Sequence, residues 1–375
     1  MKKCLYLLGI LFVLPTQALP DGPTQTRRQV NDRERVERLV QPFIKDKPFI
    51  GLVVGITRPE GQQVYGYGGV VVDGKKQAPG PDTLFEIGSV TKTFTGTLLA
   101  ELVVAGKVRL DDPVQKWLPD GLTLPTRDGR QITLLNLATH SSSLPRDFGN
   151  LGLSALFKGN VLNPFATITM ADLKNKLPTF ELEHPIGCRA DYSNLGVGLL
   201  GHALCRPGEA SSYEELLKKN LTGPLSLKDT AIHLSPEQKK RFPPCHMADG
   251  KETPQWTFGC LEACGGLHST AHDMLRYAEV NMGRVKTPLA GACRLAQQPW
   301  RDWNSGDRYV GLCWLRRSIG HKGYTMIWHN GATYGARAFV GMVPARGIAV
   351  VVLNDSANAT DALAIKLVEE LVDAK

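Results

Sequence analysis

The two ends of the chain carry similar elements in opposite order, and this arrangement constrains the fold most. Near the start, residues 31–45 have apolar residues at helical spacing, and two strand-like segments follow, 50–58 and 61–72, joined by a Pro-Glu-Gly turn. Near the other end, a predicted hairpin over 337–355 precedes a second amphipathic helix over 360–372. The simplest solution is a mixed α/β (α+β) fold, in which both termini build one antiparallel sheet and helices pack on it.

The middle of the chain has a different character, because predicted helices and loops replace the strands. We expect one domain over residues 19–375. Its sheet lobe would comprise about 31–109 and 263–375, and an inserted, mainly helical lobe would span about 110–262. A site between the two lobes is the default expectation.

The first 18 residues have the pattern of a secretory signal peptide. Lys2 and Lys3 give a positive start, an apolar run covers residues 4–14, and a Thr-Gln-Ala sequence offers a small-residue cleavage site. The apolar run is too short to span a membrane. Cys4 lies at the start of this run and not at its end, where a lipid-modified cysteine would lie. We therefore expect an unlipidated periplasmic protein without stable membrane insertion.

Cysteines in an exported protein favour disulfides. Of the eight cysteines, one lies in the predicted signal peptide and seven follow it, so at least one stays unpaired. The candidates nearest in sequence are Cys188 with Cys205, and Cys245 with either Cys260 or Cys264. The connectivity remains open. A zinc site is disfavoured because the cysteines at 260 and 264 have no matching second pair.

The segment FEIGSVTKTFTG, residues 85–96, places a serine and a lysine three residues apart. Apolar spacing predicts a helix over 92–105 that Gly106 ends, so Ser89 would lie at its N-terminus. Residues three apart share a helix face, with Cβ atoms about 5–6 Å apart, and the helix N-terminus favours an alkoxide and an oxyanion. The pattern fits a serine nucleophile whose proton is taken by Lys92. Taken alone, a capping serine with a solvated lysine explains it more simply.

Two later segments supply further groups that such chemistry uses. Tyr192 and Asn194 open a predicted helix, where a phenol can relay a proton and an amide can orient a lysine or a substrate carbonyl. The sequence HNG over 329–331 enters a predicted strand, whose next N–H can point at an oxyanion. Singly, an asparagine cap and a surface turn explain these segments better. The presence of all three in order favours a catalytic set.

With these motifs the chain resembles the class C β-lactamase-like family of serine penicillin-recognising enzymes. That family includes class C β-lactamases, low-molecular-mass DD-peptidases, D-amino peptidases and some esterases. The likeness covers about 49–355 and includes ITLLNLATHSSSLP, YEELLKKNLTGPLSLKDT and CGGLHSTAHDMLRYA in the family order. It implies a β-lactamase/DD-peptidase-like fold and acyl transfer through a serine ester, without a metal or organic cofactor.

The resemblance also assigns roles to individual residues. It makes Ser89 the nucleophile, Lys92 its base partner and Tyr192 the proton-transfer residue. Asn194 would contact both the substrate and Lys92. The oxyanion hole would consist of the backbone N–H groups of Ser89 and Ala332.

Two positions depart from the usual family pattern. His329 stands where the family has the lysine of Lys-Thr-Gly, although Gly331 matches the family glycine. A histidine there can hold a substrate carboxylate by charge only when protonated, so KM for anionic substrates should worsen as pH rises through a pKa near ~6.5. In the segment LATHSSSLP, Ser143 replaces a family glycine, which puts the loop geometry in question.

The leading hypothesis is a periplasmic serine hydrolase that forms a Ser89 acyl-enzyme with D-Ala-containing peptidoglycan peptides or β-lactams. It would be a DD-carboxypeptidase/endopeptidase or a β-lactamase. The histidine in the third motif resembles the DD-peptidase and esterase branches more than efficient β-lactamases, so an esterase acting on small acyl esters stays open. A non-catalytic β-lactam or cell-wall binder is the remaining alternative, and the complete set of reactive side chains argues against it.

The composition narrows the partners. The net charge of +8 is moderate, and the basic residues form no stripe interleaved with aromatics, so we expect no nucleic-acid partner. We expect a monomer that binds small β-lactams or peptidoglycan peptides. His268 and His272 could face one way on a helix as metal ligands, but the few carboxylates around them disfavour a metal site.

Overall fold

In the part of the chain that the structure describes, eight strands form one antiparallel sheet at the centre of the fold, and three two-stranded ladders accompany it. The computed structural model describes residues 31–72, 74–149, 161–303 and 306–374. In chain order the strands are β1 (Gly51–Arg58), β2 (Gly61–Gly68), β3 (Val70–Val72), β4 (Lys75–Gln77), β5 (Phe85–Glu86), β6 (Cys245–His246), β7 (Glu252–Thr253), β8 (His268–Ser269), β9 (Arg301–Asp302), β10 (Arg308–Val310), β11 (Leu315–Ile319), β12 (Tyr324–Ala332), β13 (Arg337–Val343) and β14 (Ile348–Asn354).

The large sheet has the order β2-β1-β14-β13-β12-β11-β10-β9, so strands from the two ends of the chain meet near its middle. Strand β1 pairs with β14 from Leu52 opposite Asn354 to Thr57 opposite Ala349. The prediction of one antiparallel sheet built from both termini is therefore confirmed.

Helices cover both faces of this sheet. They are α1 (Asp32–Ile44), α2 (Thr91–Val104), α3 (Leu134–Ala138), α4 (Met170–Lys176), α5 (Asn194–Cys205), α6 (Tyr213–Leu217), α7 (Pro236–Lys239), α8 (Ala271–Asn281), α9 (Ala290–Ala296) and α10 (Asp361–Asp373). Short 3₁₀ turns lie at Gly88–Val90, Val114–Lys116, Leu177–Thr179, Gly259–Cys264 and Pro344–Arg346, and Lys218–Thr222 is a π-helical turn.

The alternation of side chains along β1 explains why the sheet is covered on both faces. Leu52 and Val54 belong to the apolar cluster that includes α1 and α10, whereas Val53 belongs to the larger cluster that includes Phe94 of α2 and Leu275 of α8. Successive residues of a strand point to opposite faces, so a continuous apolar strand needs a layer on each side. The larger cluster includes Ile87 and Val90, which flank Ser89 of the first motif.

Three sequence expectations need comment. The predicted strand over 61–72 is interrupted, because β2 ends at Gly68 with φ +73 and β3 forms a separate ladder with β4. The predicted signal peptide, residues 1–18, lies outside the described residues. The chain from Asp32 onward forms one compact unit, and the boundaries of the two lobes within it stay a prediction.

The expected disulfides are wrong for this structure, in which the seven cysteines of the described ranges are free thiols. Cys188 is exposed, whereas Cys245 and Cys264 are buried. A disulfide requires Cβ atoms about 3.5–4.5 Å apart, and nearness in sequence does not ensure that spacing. Burial also raises the pKa of the Cys205 thiol to about 11. In the described ranges, no helix is long and apolar enough to cross a membrane.

Candidate active site

The serine of the first motif lies in a 3₁₀ turn, Gly88–Val90, that leads directly into α2. Gly88 has φ +46, in the left-handed region that favours glycine. Helix α2 ends at Val104, and Gly106 follows with φ +70, so the predicted helix and its glycine stop are confirmed. Ser89 is half-buried, while its neighbours Gly88 and Val90 are buried.

Lys92 is fully buried, so the solvated lysine considered from the sequence is wrong. Its Nζ lies 3.0 Å from Ser89 Oγ and 2.5 Å from the carbonyl oxygen of Cys264. The same Nζ lies 4.9 Å from the centroid of the Tyr192 ring. The spacing of three residues on α2 aims the lysine at the serine, and the distant carbonyl and ring complete its surroundings.

The second motif places Tyr192 just before α5. The helix cap is Ser193, whose Oγ accepts the N–H of Gly196 at 2.9 Å, so the asparagine cap considered from the sequence is wrong. The Tyr192 ring stacks on His140 with centroids 4.5 Å apart and lies 6.2 Å from the ring of His329. Tyr192 of the second motif thus lies near the histidine of the third motif and the lysine of the first.

Asn194 departs from the expected contact with Lys92. Its Nδ2 donates to Asp147 Oδ1 at 2.7 Å, whereas the lysine Nζ is hydrogen-bonded to Ser89 and Cys264. The structure therefore joins the asparagine to an aspartate 47 residues away in the chain. A hydrogen bond to a carboxylate is stronger than one between neutral groups, so this contact holds the Asn194 amide in place.

The third motif forms the end of β12 and packs directly against the serine turn. A Cβ added to Gly331 would lie 1.9 Å from the carbonyl oxygen of Ile87 and 3.1 Å from the backbone nitrogen of Ser89. A Cβ added to Gly88 would lie 2.7 Å from the nitrogen of Ala332. Both glycines are required because the two backbones are in contact. This contact brings the N–H groups of Ser89 and Ala332 into one neighbourhood.

The structure also corrects the expectations for His329. Its side chain is 1% exposed, and its Nδ1–H donates to the carbonyl oxygen of Asn330 at 2.6 Å. Burial, assisted by the positive charge of Lys92, lowers the pKa of His329 to about 3. The imidazole is therefore neutral at physiological pH in the free protein and lacks the charge expected for a substrate carboxylate. The surface turn considered from the sequence is wrong as well.

Sequence reasoning did not single out His140, although its loop belongs to a segment that matches the family. His140 is 1% exposed, and its Nδ1 accepts the N–H of Ser193 at 3.2 Å. Burial and the nearby Lys92 hold its pKa well below the usual value. A neutral imidazole therefore supports one face of Tyr192. The sequence shows a histidine in this family-like segment, but it does not show that the histidine stacks on Tyr192.

The serine that replaces a family glycine keeps a glycine-like backbone. Ser143 has φ +62, and its Oγ accepts the N–H of His184 at 2.9 Å. Serine tolerates this region less well than glycine, and the hydrogen bond offsets part of the strain. Ser143 therefore takes a backbone conformation that a glycine would favour.

The two histidines considered as metal ligands do not share a helix. His268 is in β8 and is 2% exposed, whereas His272 is in α8. Among the described residues, no group of three or more potential ligands is arranged around a metal position.

Comparison with known proteins agrees with this arrangement. A family model described as "Beta-lactamase" matches residues 36–372. The chain belongs to the beta-lactamase family. The D-alanyl-D-alanine-carboxypeptidase/endopeptidase AmpH of Escherichia coli K12 is 29% identical over 304 residues, which is 78% of this chain and 76% of AmpH. A beta-lactamase of the same strain is 30% identical over 291 residues, with 76% and 71% covered.

Solved structures confirm the fold predicted for this beta-lactamase family member. A class C beta-lactamase matches with a TM-score of 0.78 and 22% identity, over 92% of this chain and 98% of that one. The chain is an enzyme of a family of serine hydrolases that act on amide bonds.

Proposed function

We propose that this protein is an exported serine acyl hydrolase in which Ser89 forms an ester with the acyl group of β-lactams or D-Ala-containing peptidoglycan peptides. The observation that carries the proposal is the fully buried Lys92, whose Nζ lies 3.0 Å from Ser89 Oγ. A buried lysine beside a half-buried serine matches the requirement of a nucleophile activated by an adjacent base.

The acylation step uses the three motifs together. Lys92 acts in this step after releasing its own ammonium proton to solvent: its Nζ accepts the hydroxyl proton as Ser89 Oγ attacks the carbonyl carbon, and the carbonyl oxygen becomes an oxyanion. The N–H groups of Ser89 and Ala332 would bind that oxyanion, which is typically the largest electrostatic contribution in acyl transfer. The C–N bond then breaks, and the proton passes through the Tyr192 phenol to the leaving nitrogen. Water attacks the ester and releases the acid.

The remaining site residues act around this centre. His329 would serve as a neutral support beside Tyr192, because its Nδ1 is bound to the backbone of its own strand. Asn194 would contact the substrate while its Nδ2 keeps the hydrogen bond to Asp147. Gly331 would contribute through the close packing of β12 on the serine turn.

The substrate class rests on the relatives, one named a beta-lactamase and one a D-Ala-D-Ala carboxypeptidase/endopeptidase. Export to the periplasm rests on the sequence pattern of the first 18 residues. We propose a monomer that needs no cofactor. Esterase activity is the second candidate, because the neutral imidazole at position 329 removes a fixed charge that anionic substrates would use.

A labelling experiment tests the acyl-enzyme. The mature protein should become covalently labelled by a fluorescent penicillin, and Ser89→Ala should abolish the label. Label that persists in the alanine variant would end the nucleophile assignment. Turnover of nitrocefin, a D-Ala-D-Ala peptide and p-nitrophenyl butyrate then separates β-lactamase, peptidase and esterase. Labelling without turnover of any of them would indicate a binder.

A further inference from the structure

The chemistry of the leaving group defines a requirement that His329 does not meet. In D-Ala-D-Ala peptides and in penicillins, the leaving nitrogen carries a carboxylate one carbon away. The neutral imidazole at position 329 offers that carboxylate no charge. A second cation close to the proton-transfer residue would compensate, because Tyr192 delivers its proton to the leaving nitrogen in the proposed mechanism.

Arg146 is positioned beside that residue. Its guanidinium carbon lies 4.9 Å from the centroid of the Tyr192 ring, the same distance as the Nζ of Lys92. The Arg146 side chain is 67% exposed, whereas the lysine is buried. A guanidinium over an aromatic face is held by the ring quadrupole and keeps its outer N–H groups free for a ligand.

The main chain fixes Arg146 relative to the second motif. Its carbonyl oxygen accepts the N–H of Asn194 at 2.7 Å, and the carbonyl of Pro145 accepts Ser193 Oγ at 2.7 Å. The loop is thus bound to the first turn of α5, directly after Tyr192. The backbone of Arg146 is therefore already in place beside Tyr192 before a substrate binds.

The acidic neighbour of Arg146 does not neutralise it fully. Asp147 Oδ2 lies 3.8 Å from the arginine Nε, beyond hydrogen-bond distance, and Asp147 Oδ1 is bound to Asn194. Arg189 lines the same cleft of about 650 Å³ but is paired with Asp191 at 2.5 Å. Of these two arginines, Arg146 is therefore the one whose charge is less fully offset by a carboxylate of the protein.

We propose that Arg146 is a specificity-determining residue that binds the carboxylate of the leaving group and makes the enzyme selective for anionic acyl donors. Arginine suits this task because its planar guanidinium can bind a carboxylate through two parallel hydrogen bonds. The inference rests on the proposed acyl-enzyme. It adds the charge of the substrate and the residue that recognises it.

The test uses two aryl esters of phenylacetylglycine that differ only in a carboxylate on the leaving phenol. In Arg146→Gln, kcat/KM for the anionic ester should fall about tenfold, because a hydrogen bond to a charged group at a partly exposed site contributes about that much. The kcat/KM for the neutral ester should not change. Arg146→Lys should keep part of the preference for the anionic ester, because a lysine retains the positive charge but cannot form two parallel hydrogen bonds to a carboxylate. Arg189→Gln is the matched control and should leave both esters unchanged.

A peptide pair extends the test to the proposed substrates. N-acyl-D-Ala-D-Ala and its C-terminal amide should show the same contrast, and the wild-type preference for the acid should weaken in 0.5 M salt, roughly as expected for a screened surface charge.

An equal fall for both esters in Arg146→Gln would show a structural role and overturn the inference, as would no change in either. If the esters show the contrast but no β-lactam or peptide is turned over, the proposed substrate class fails and the role of Arg146 stands. If neither ester is hydrolysed by the wild-type protein, both proposals fall.

Discussion

Replacing Gly331 by alanine should slow acylation strongly while leaving a folded protein. The added Cβ would lie 1.9 Å from the carbonyl oxygen of Ile87, which is a backbone atom in the serine turn and not a side chain that can rotate away. A carbon and an oxygen atom that are not bonded stay more than about 3 Å apart. The turn that carries Ser89 and the strand that carries Ala332 must therefore separate by roughly 1 Å.

That separation acts on stability and on chemistry to different degrees. Overpacking of a filled site costs about 1–3 kcal/mol. A protein tolerates this loss when its free energy of unfolding has the typical value of about 5–15 kcal/mol. Loss of one oxyanion donor lowers kcat by about 10²–10³-fold. We therefore expect the acylation rate to fall by at least two orders of magnitude, roughly, while Tm falls by a few degrees.

Gly66→Ala provides the matched control. A Cβ at Gly66 would lie 1.8 Å from the carbonyl oxygen of Pro79, an equally severe backbone clash at β2, the edge strand of the sheet. Stopped-flow acylation by a fluorescent penicillin and thermal unfolding should be measured for both variants. If Gly331→Ala keeps wild-type acylation, or loses only as much as Gly66→Ala, the pairing of the two N–H groups across this contact is not the oxyanion hole.

Other outcomes follow from the same geometry. Lys92→Ala and Tyr192→Phe should each lower kcat by about 10²–10⁴-fold with the fold retained by circular dichroism, and near-wild-type turnover would remove that residue from the mechanism. The pKa of His329 is lowered to about 3, so the stability that its neutral form contributes is present above the unfolded pKa of about 6.5 and is lost as pH falls towards 3. In urea unfolding, His329→Gln should therefore lose less stability than the wild-type protein between about pH 7 and 4. For the same reason the anionic and neutral esters should show parallel kcat/KM profiles from about pH 6 to 8, and a KM that rises only for the anionic ester near pH 6.5 would restore the charged histidine. The denatured mature protein should release seven reactive thiols without reductant, and in the native protein Cys188 should react first; a lower total would show a disulfide.

Local sequence patterns were sufficient for the framework of this fold. Helix spacing located α1 and α10, and alternating or continuous apolar runs located β1, β13 and β14, because each pattern depends on residues only two to four positions apart. The approach of Lys92 to Ser89 was predictable for the same reason, since three positions on one helix fix the geometry whatever surrounds it.

The partners and charge states of the site were decided by the tertiary structure. Lys92 meets a carbonyl 172 residues away, and Asn194 meets Asp147 in place of the lysine. His329 is neutral because packing removes water from its ring, and the burial of a group is a sum over residues from many parts of the chain. The sequence alone determined which side chains stand on which local element, whereas desolvation and long-range contact determined which of them carry charge and which partners they bind.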